Sequence, residues 1–170
     1  MRPDHRQALE EIFDQADLVQ ARYVEQVRQR RAEWMDFKYA LEDLIETTVE
    51  PTFLEFQKYL HEKGMPSFIE HLEADDFDPL NDDVSHTTFY RFTVGIAAEP
   101  GGQMGFLNVV GDLSARDVWL NWRLRGESVE TKVQPVDGDP GSVDSITDDL
   151  LHKQFRELMR CILLQQQQPS

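Results

Sequence analysis

The side chains able to ligate, attack or move protons are few in this 170-residue chain. The histidines are His5, His61, His71, His86 and His152. None stands in His-x-x-x-His, His-x-His or Glu-x-x-His spacing, so no pair is preset on one helical face for a metal ion. His61-Glu62 lacks the second histidine of a zincin, and each histidine reads as a surface residue. Two acidic loops suggest calcium. Asp137, Asp139 and Gly141 fall at loop positions 1, 3 and 5, with Asp148 at position 12. An EF-hand needs an oxygen ligand at 5, glycine at 6 and a bidentate glutamate at 12, and position 6 here is Ser142. The loop at 76–83 also lacks the glycine, so both read as solvated acidic turns. Gly101, Gly102 and Gly105 sit between two strands, the wrong context for a phosphate cradle that opens a helix. No Gly-x-Ser-x-Gly elbow occurs. Cys161 is the single cysteine; it excludes an internal disulfide, and its apolar helical surroundings read as those of a buried thiol rather than a nucleophile. No catalytic residue, metal or cofactor is assigned.

The bulk charge narrows the partners. Thirty-two acidic against 17 basic residues give a net charge of −15. That opposes nucleic acid, whose affinity comes from Lys and Arg meeting phosphate, and anionic membranes. It suits solubility or a basic partner. The chain has no apolar h-region and no run long enough to span a bilayer, so a cytoplasmic protein is expected.

Position is set by the elements. Residues 4–48 hold no Gly, Pro, Ser or Asn, the types that weaken or end helices. Leu9, Phe13, Ala16, Tyr23, Val27, Trp34, Phe37, Leu41 and Leu44 follow a 3-4 spacing, interrupted by Gln20, Arg30 and Thr48. This is a heptad seam with polar interruptions. Ile12, Val19, Val24, Met35 and Ile45 widen it, which favours a packed bundle over a strict two-stranded coil. Such a helix extends about 68 Å, whereas a compact body of this size is roughly 40 Å across. The helix must overhang its own domain. Its projecting part carries Leu9, Ile12, Phe13, Val19, Tyr23 and Val27, and a second copy of the chain is the simplest cover. A homodimer through residues of about 8–30 is expected.

Pro51 either kinks this helix or breaks it, with a second helical stretch over 51–63 carrying Phe53, Phe56, Tyr59 and Leu60 inward. Gly64 then serves as the left-handed C′ residue and Pro66 blocks continuation. Residues 67–72 form a short strand, and 73–86 an acidic loop. Four strands follow at 87–98, 104–111, 116–125 and 128–135, joined by short turns as an antiparallel meander. Tyr90, Phe92, Val94, Ile96 and Ala98 share one face of the first; Val118, Leu120, Trp122 and Leu124 share one face of the third. Ser145 and Asp148 resemble an acidic capping box opening a last helix to about 164, with Leu151, Phe155, Leu158 and Ile162 in its stripe. Residues 165–170 are expected to fray.

The fold expected is therefore α+β: a single domain over 1–164, made of a helical arm (1–64), a four- to five-stranded antiparallel sheet (67–135) and a C-terminal helix (145–164) on one sheet face. The opposite face holds Trp119, Asn121, Arg123 and Arg125, with Arg91, Thr93, Glu130 and Lys132 beside them. Arg91, Trp119, Asn121 and Arg123 are the candidate binding face for an acidic or aromatic peptide or a small anion. The ordinary alternative is a solvated sheet face. Three functional readings follow: a non-enzymatic interaction or scaffold protein, dimeric through its long helix, with another protein as a partner; an enzyme or small-molecule binder with a site between helices and sheet, using Trp34, Tyr90 or the acidic loop; and an acidic mimic of nucleic acid.

Overall fold

The computed structural model describes residues 2–78, 86–95, 102–133 and 141–166. Helix α1 spans Pro3–Leu44. A π-helical turn, Ile45–Val49, joins it without a break to α2, Glu50–Glu62. The strands are β1 Ser67–Leu72, β2 Thr87–Gly95, β3 Gln103–Asp112, β4 Asp117–Leu124 and β5 Thr131–Val133. A short 3-10 turn, Val143–Ser145, precedes helix α3, Asp148–Gln166. The fold is α+β, with a five-stranded antiparallel sheet in the order β1-β2-β3-β4-β5.

Pro51 neither stops the helix nor splits it. A proline lacks an N–H and its ring crowds the carbonyl four residues back. The chain meets this by widening the turn just before it: the Glu50 N–H bonds to the Ile45 carbonyl, five residues back. Nearby hydroxyls occupy carbonyls in the same stretch. Thr47 Oγ1 donates to the Asp43 carbonyl and Thr52 Oγ1 lies against the Thr48 carbonyl, each at 2.7 Å. Such single-turn bulges absorb a local misfit while the rod continues. The result is 60 joined helical residues, about 90 Å long. Gly64, at φ 72°, ends it as expected, and Met65 N–H returns to the Leu60 carbonyl at 2.9 Å.

The core lies between α2, α3 and one sheet face. Register places Tyr90, Val109 and Leu120 in one row, and Phe92, Leu107 and Trp122 in the next. Over them Phe53 reaches Tyr90 and Phe92 at 5.7 and 5.6 Å between centroids. Phe56 stacks on Phe155 at 3.9 Å and 7°, tying α2 to α3. Buried residues from Trp34 to Ile162 form one hydrophobic cluster. Gly105 lets α3 approach β3 closely: a Cβ there would lie 2.8 Å from the Arg123 carbonyl oxygen and 3.0 Å from a Leu158 methyl.

Two element starts and one burial differ from the sequence expectation. Strand β5 starts at Thr131 rather than at 128: Gly126 turns the chain at φ 83°, and Thr131–Val133 pair with β4, residues 134 and 135 lying outside the described residues. Helix α3 starts at Asp148 rather than Ser145. Ser145 Oγ donates to the Ser142 carbonyl inside the 3-10 turn, and Thr147 Oγ1 accepts from the Leu150 N–H at 3.2 Å as the true N-cap. Cys161 is half-buried on α3, not fully enclosed. Ile96 and Ala98, most of the 73–86 loop's second half, Asp137, Asp139 and the last four residues lie outside the described residues. Among the described residues no helix is long and apolar enough to cross a membrane.

Two substitutions test this packing by urea denaturation. Phe53, with no exposed surface, is expected to cost about 3–5 kcal/mol as Phe53→Ala. Gly105→Ala is expected to cost about 1–3 kcal/mol by overpacking against a backbone that cannot move aside.

Candidate functional site

Three surfaces stand out. The first is the free part of α1. Burial within the chain begins at Trp34, Glu33 pairs with Arg116 at 3.5 Å and Arg30 lines the same cleft, so residues 3–29 run clear of the body over about 40 Å. Leu9, Ile12, Phe13, Val19 and Tyr23 are all exposed along it, joined by Leu18 and Val24; Phe13 reaches 68% and Val19 65%. Val27 is half-buried. Charge is divided along this arm. Asp4, Glu10, Glu11, Asp14 and Asp17 outnumber Arg6 in the first half, while Arg22, Arg28, Arg30 and Arg31 outnumber Glu25 and Glu33 towards the body.

The second surface is the sheet face turned away from the helices. Register aligns Glu70, Arg91, Asn108, Asn121 and Lys132 straight across all five strands. On one side of this polar row lie Phe68, Thr93, Phe106 and Arg123; on the other lie Leu72, Phe89, Val110 and Trp119. Arg91, Trp119, Asn121 and Arg123, named from sequence, are thus brought together on one face.

The face is not the open, solvated surface that alternation suggested. Thr93, Asn108 and Asn121 are buried, as are Phe106 and Val110, and Trp119 is half-buried. The cations cover them by lying on rings. The Arg91 guanidinium sits 4.2 Å from the Phe106 centroid and 4.6 Å from that of Phe89. Arg123 lies 5.2 Å from Phe106, and Lys132 Nζ 4.6 Å from Trp119. Such contacts use the negative face of the ring to hold a cation. Among the described residues, none of these three cations forms an ion pair. Asn121 Nδ2 donates to Glu130. Asn121 Oδ1, Asn108 Oδ1, Thr93 Oγ1 and Arg91 Nε are buried without a hydrogen-bond partner. Leaving a buried polar atom unmet costs about 1–3 kcal/mol, so four on one face are a concentration that needs a reason.

Asn108, Phe106 and Phe89 escaped the sequence reading. The signal was present in Phe106-Leu107-Asn108-Val109-Val110: one amide inside an apolar strand has to find a partner or a function. Its place beside Arg91 and Asn121 depends on register, which sequence alone did not set.

The third surface is a groove of 720 Å³ between α2 and α3, lined by Phe56, Tyr59, Leu60, Phe155, Met159 and Leu163, with His152 and Glu55 at its edge. His152 lies 3.1 Å from Asp148 and 3.6 Å from Glu55. It and His86 are half-buried rather than exposed. Trp34 and Tyr90 belong to the core, not to an open cleft. Trp34 packs on Phe77 at 5.8 Å between centroids. Tyr90 is buried and its phenol donates to Glu50. Among the described residues no group of three His, Cys, Asp or Glu converges to hold a metal ion.

Burial first, and then the charge and hydrogen bond of Glu50, push the Tyr90 phenol up to about 12. A phenol whose folded pKa is raised contributes stability that is complete below its unfolded value near 10 and is lost as pH rises through 12. The wild-type chain is expected to lose at most about 2 kcal/mol by this route between pH 10 and 12. Tyr90→Phe is expected to flatten that part of the profile, as read by thermal melts across the range.

Set against protein-family models, curated proteins and solved structures, the chain matches none of them.

Proposed function

We propose that this chain is a non-enzymatic interaction protein that works as a homodimer, joined through the free part of α1. The observation that carries the reading is the exposed apolar stripe from Leu9 to Val24 on a helix that leaves its own body. Monomeric surfaces rarely keep so contiguous an apolar strip open to water. A second copy supplies a matching strip at no further genetic cost.

Charge sets the orientation. Side by side in parallel, the acidic halves would face each other, and Arg30 would meet Arg30 in the seam. Antiparallel, each acidic half meets a basic half. The seam positions then pair Leu9 with the second copy's Val27, and Phe13 with its Tyr23. Arg30 falls opposite Arg6, whose Nε is already tied to Glu10 at 3.1 Å. Opposed charges beside an apolar seam are what select orientation in paired helices. A cytoplasmic setting agrees with the acidic surface and the lone free thiol.

A second reading, small-molecule binding, draws on the groove between α2 and α3, whose size lies in the range of ligand pockets.

Light scattering at micromolar concentration is expected to give twice the 19.8 kDa chain mass, and Phe13→Glu with Val19→Glu is expected to give a single chain mass with the fold intact. In a Cys161→Ser background, Phe13→Cys and Tyr23→Cys chains are expected to cross-link when mixed and not when alone. Cross-linking of each alone would establish parallel pairing instead. A monomer mass for the unaltered chain would end the dimer reading.

A further inference from the structure

We infer that the sheet face centred on Arg91, Asn108 and Asn121 binds an extended acidic peptide segment of a partner protein, with its carboxylates on Arg91 and Arg123. This rests on the reading of the chain as an interaction protein, and names what one of its surfaces takes.

Charge supplies the first argument. The molecule carries −15 overall, yet this face holds Arg91, Arg123 and Lys132 without an ion pair among the described residues. Arg91 and Arg123 both rest on the ring of Phe106, at 4.2 and 5.2 Å. Stacking fixes a guanidinium by its flat side and leaves the N–H edge available for a two-point bond to a carboxylate. Two such forks beside one ring suit two carboxylates on alternate residues of an extended strand, about 7 Å apart.

The unmet atoms supply the second, independent argument. Asn108 Oδ1 and Asn121 Oδ1 are acceptors, and Thr93 Oγ1 can donate or accept. All three side chains are more than nine-tenths buried. Carboxylate or phosphate alone brings no N–H to the two amide oxygens. A peptide brings both: carboxylates for the arginines, and backbone N–H groups for the asparagines. In the free chain both guanidiniums lie on the Phe106 ring beside this row. Phe89 and Trp119, both half-buried, provide apolar area that a lone ion would not use.

The probe is a fluorescein-labelled Gly-Glu-Ala-Glu-Ala-Glu-Gly peptide, titrated with the full chain at low ionic strength and followed by anisotropy. Binding is expected, with the peptide bearing Gln for Glu at least about tenfold weaker. Arg123→Gln and, separately, Arg91→Gln are each expected to weaken the Glu peptide about tenfold. Arg123→Lys is expected to restore only part of that loss, because it keeps the charge and loses the fork. Thermal midpoint and light-scattering mass are measured on every variant. Peptide binding by a chain of monomer mass would remove the dimer and leave this site standing. A folded dimer that ignores the peptide would do the reverse. The inference is overturned by equal affinity for the Glu and Gln peptides, by indifference to both arginine changes, or by full displacement with equimolar inorganic phosphate or oligodeoxythymidylate.

Discussion

A helix closes its own backbone hydrogen bonds but cannot cover its own apolar stripe. That asymmetry governs this molecule. The first property allows α1 to leave the body, since no backbone donor is orphaned along the way. The second means that departure carries a cost until something covers Leu9, Phe13, Val19 and Tyr23. The overhang does not depend on Pro51: α1 alone, 42 residues, is about 63 Å long, more than the body can cover. The π-turn at Ile45–Val49 adds to it by keeping the axis continuous into α2.

The same rod makes the body possible. Trp34, Leu41, Leu44 and Val49 belong to the part of the helix that packs, and Phe53, Phe56 and Leu60 continue it beyond the proline. The Phe56–Phe155 stack then brings in α3, and Gly105 gives it room against β3. With two helices on one face, the other face of the sheet is left to its own side chains. It solves the problem in an unusual way, folding long cations over rings and amides instead of presenting a plain polar surface.

Much of this was legible in the chain. Forty-five residues without a helix breaker, period-2 alternation in β2 and β4, and the Gly64–Pro66 stop signal each point to one local structure, and the fold follows them. What stayed hidden depends on contacts between distant segments. Pro51 permits either a kink or an end, and only the hydroxyls of Thr47 and Thr52 with the widened turn decide in favour of continuity. Ser145 carries a plausible capping pattern, but Ile146 is buried and extended at φ −93° and ψ 100°. Tertiary anchoring of that residue pushes the helix start to the next available cap, Thr147. The candidate face was readable as a list of residues on alternate positions. Its central amide, Asn108, was not, because strand register is set by pairing and the pattern of β3 is apolar on both sides.

The electrostatic setting explains why stacked cations matter here more than in a balanced protein. Among the described residues Arg6, Arg28, Lys38, Arg116 and Arg160 pair with acids, while the other cations, Arg91 and Arg123 among them, do not. Exposed pairs of that kind contribute little, at most about 1 kcal/mol, and they neutralise the cation for any other purpose. Arg91 and Arg123 sit in mid-strand with their guanidiniums on Phe106, Arg91 in register with Glu70. Ring contact holds them at a geometric cost already met by folding, and leaves their hydrogen-bonding edges uncommitted. For the proposed acidic segment, the surrounding negative charge would act as a filter, repelling acidic molecules that lack a close fit and yielding only to one whose carboxylates reach both forks. Such a face would favour discrimination over attraction at a distance.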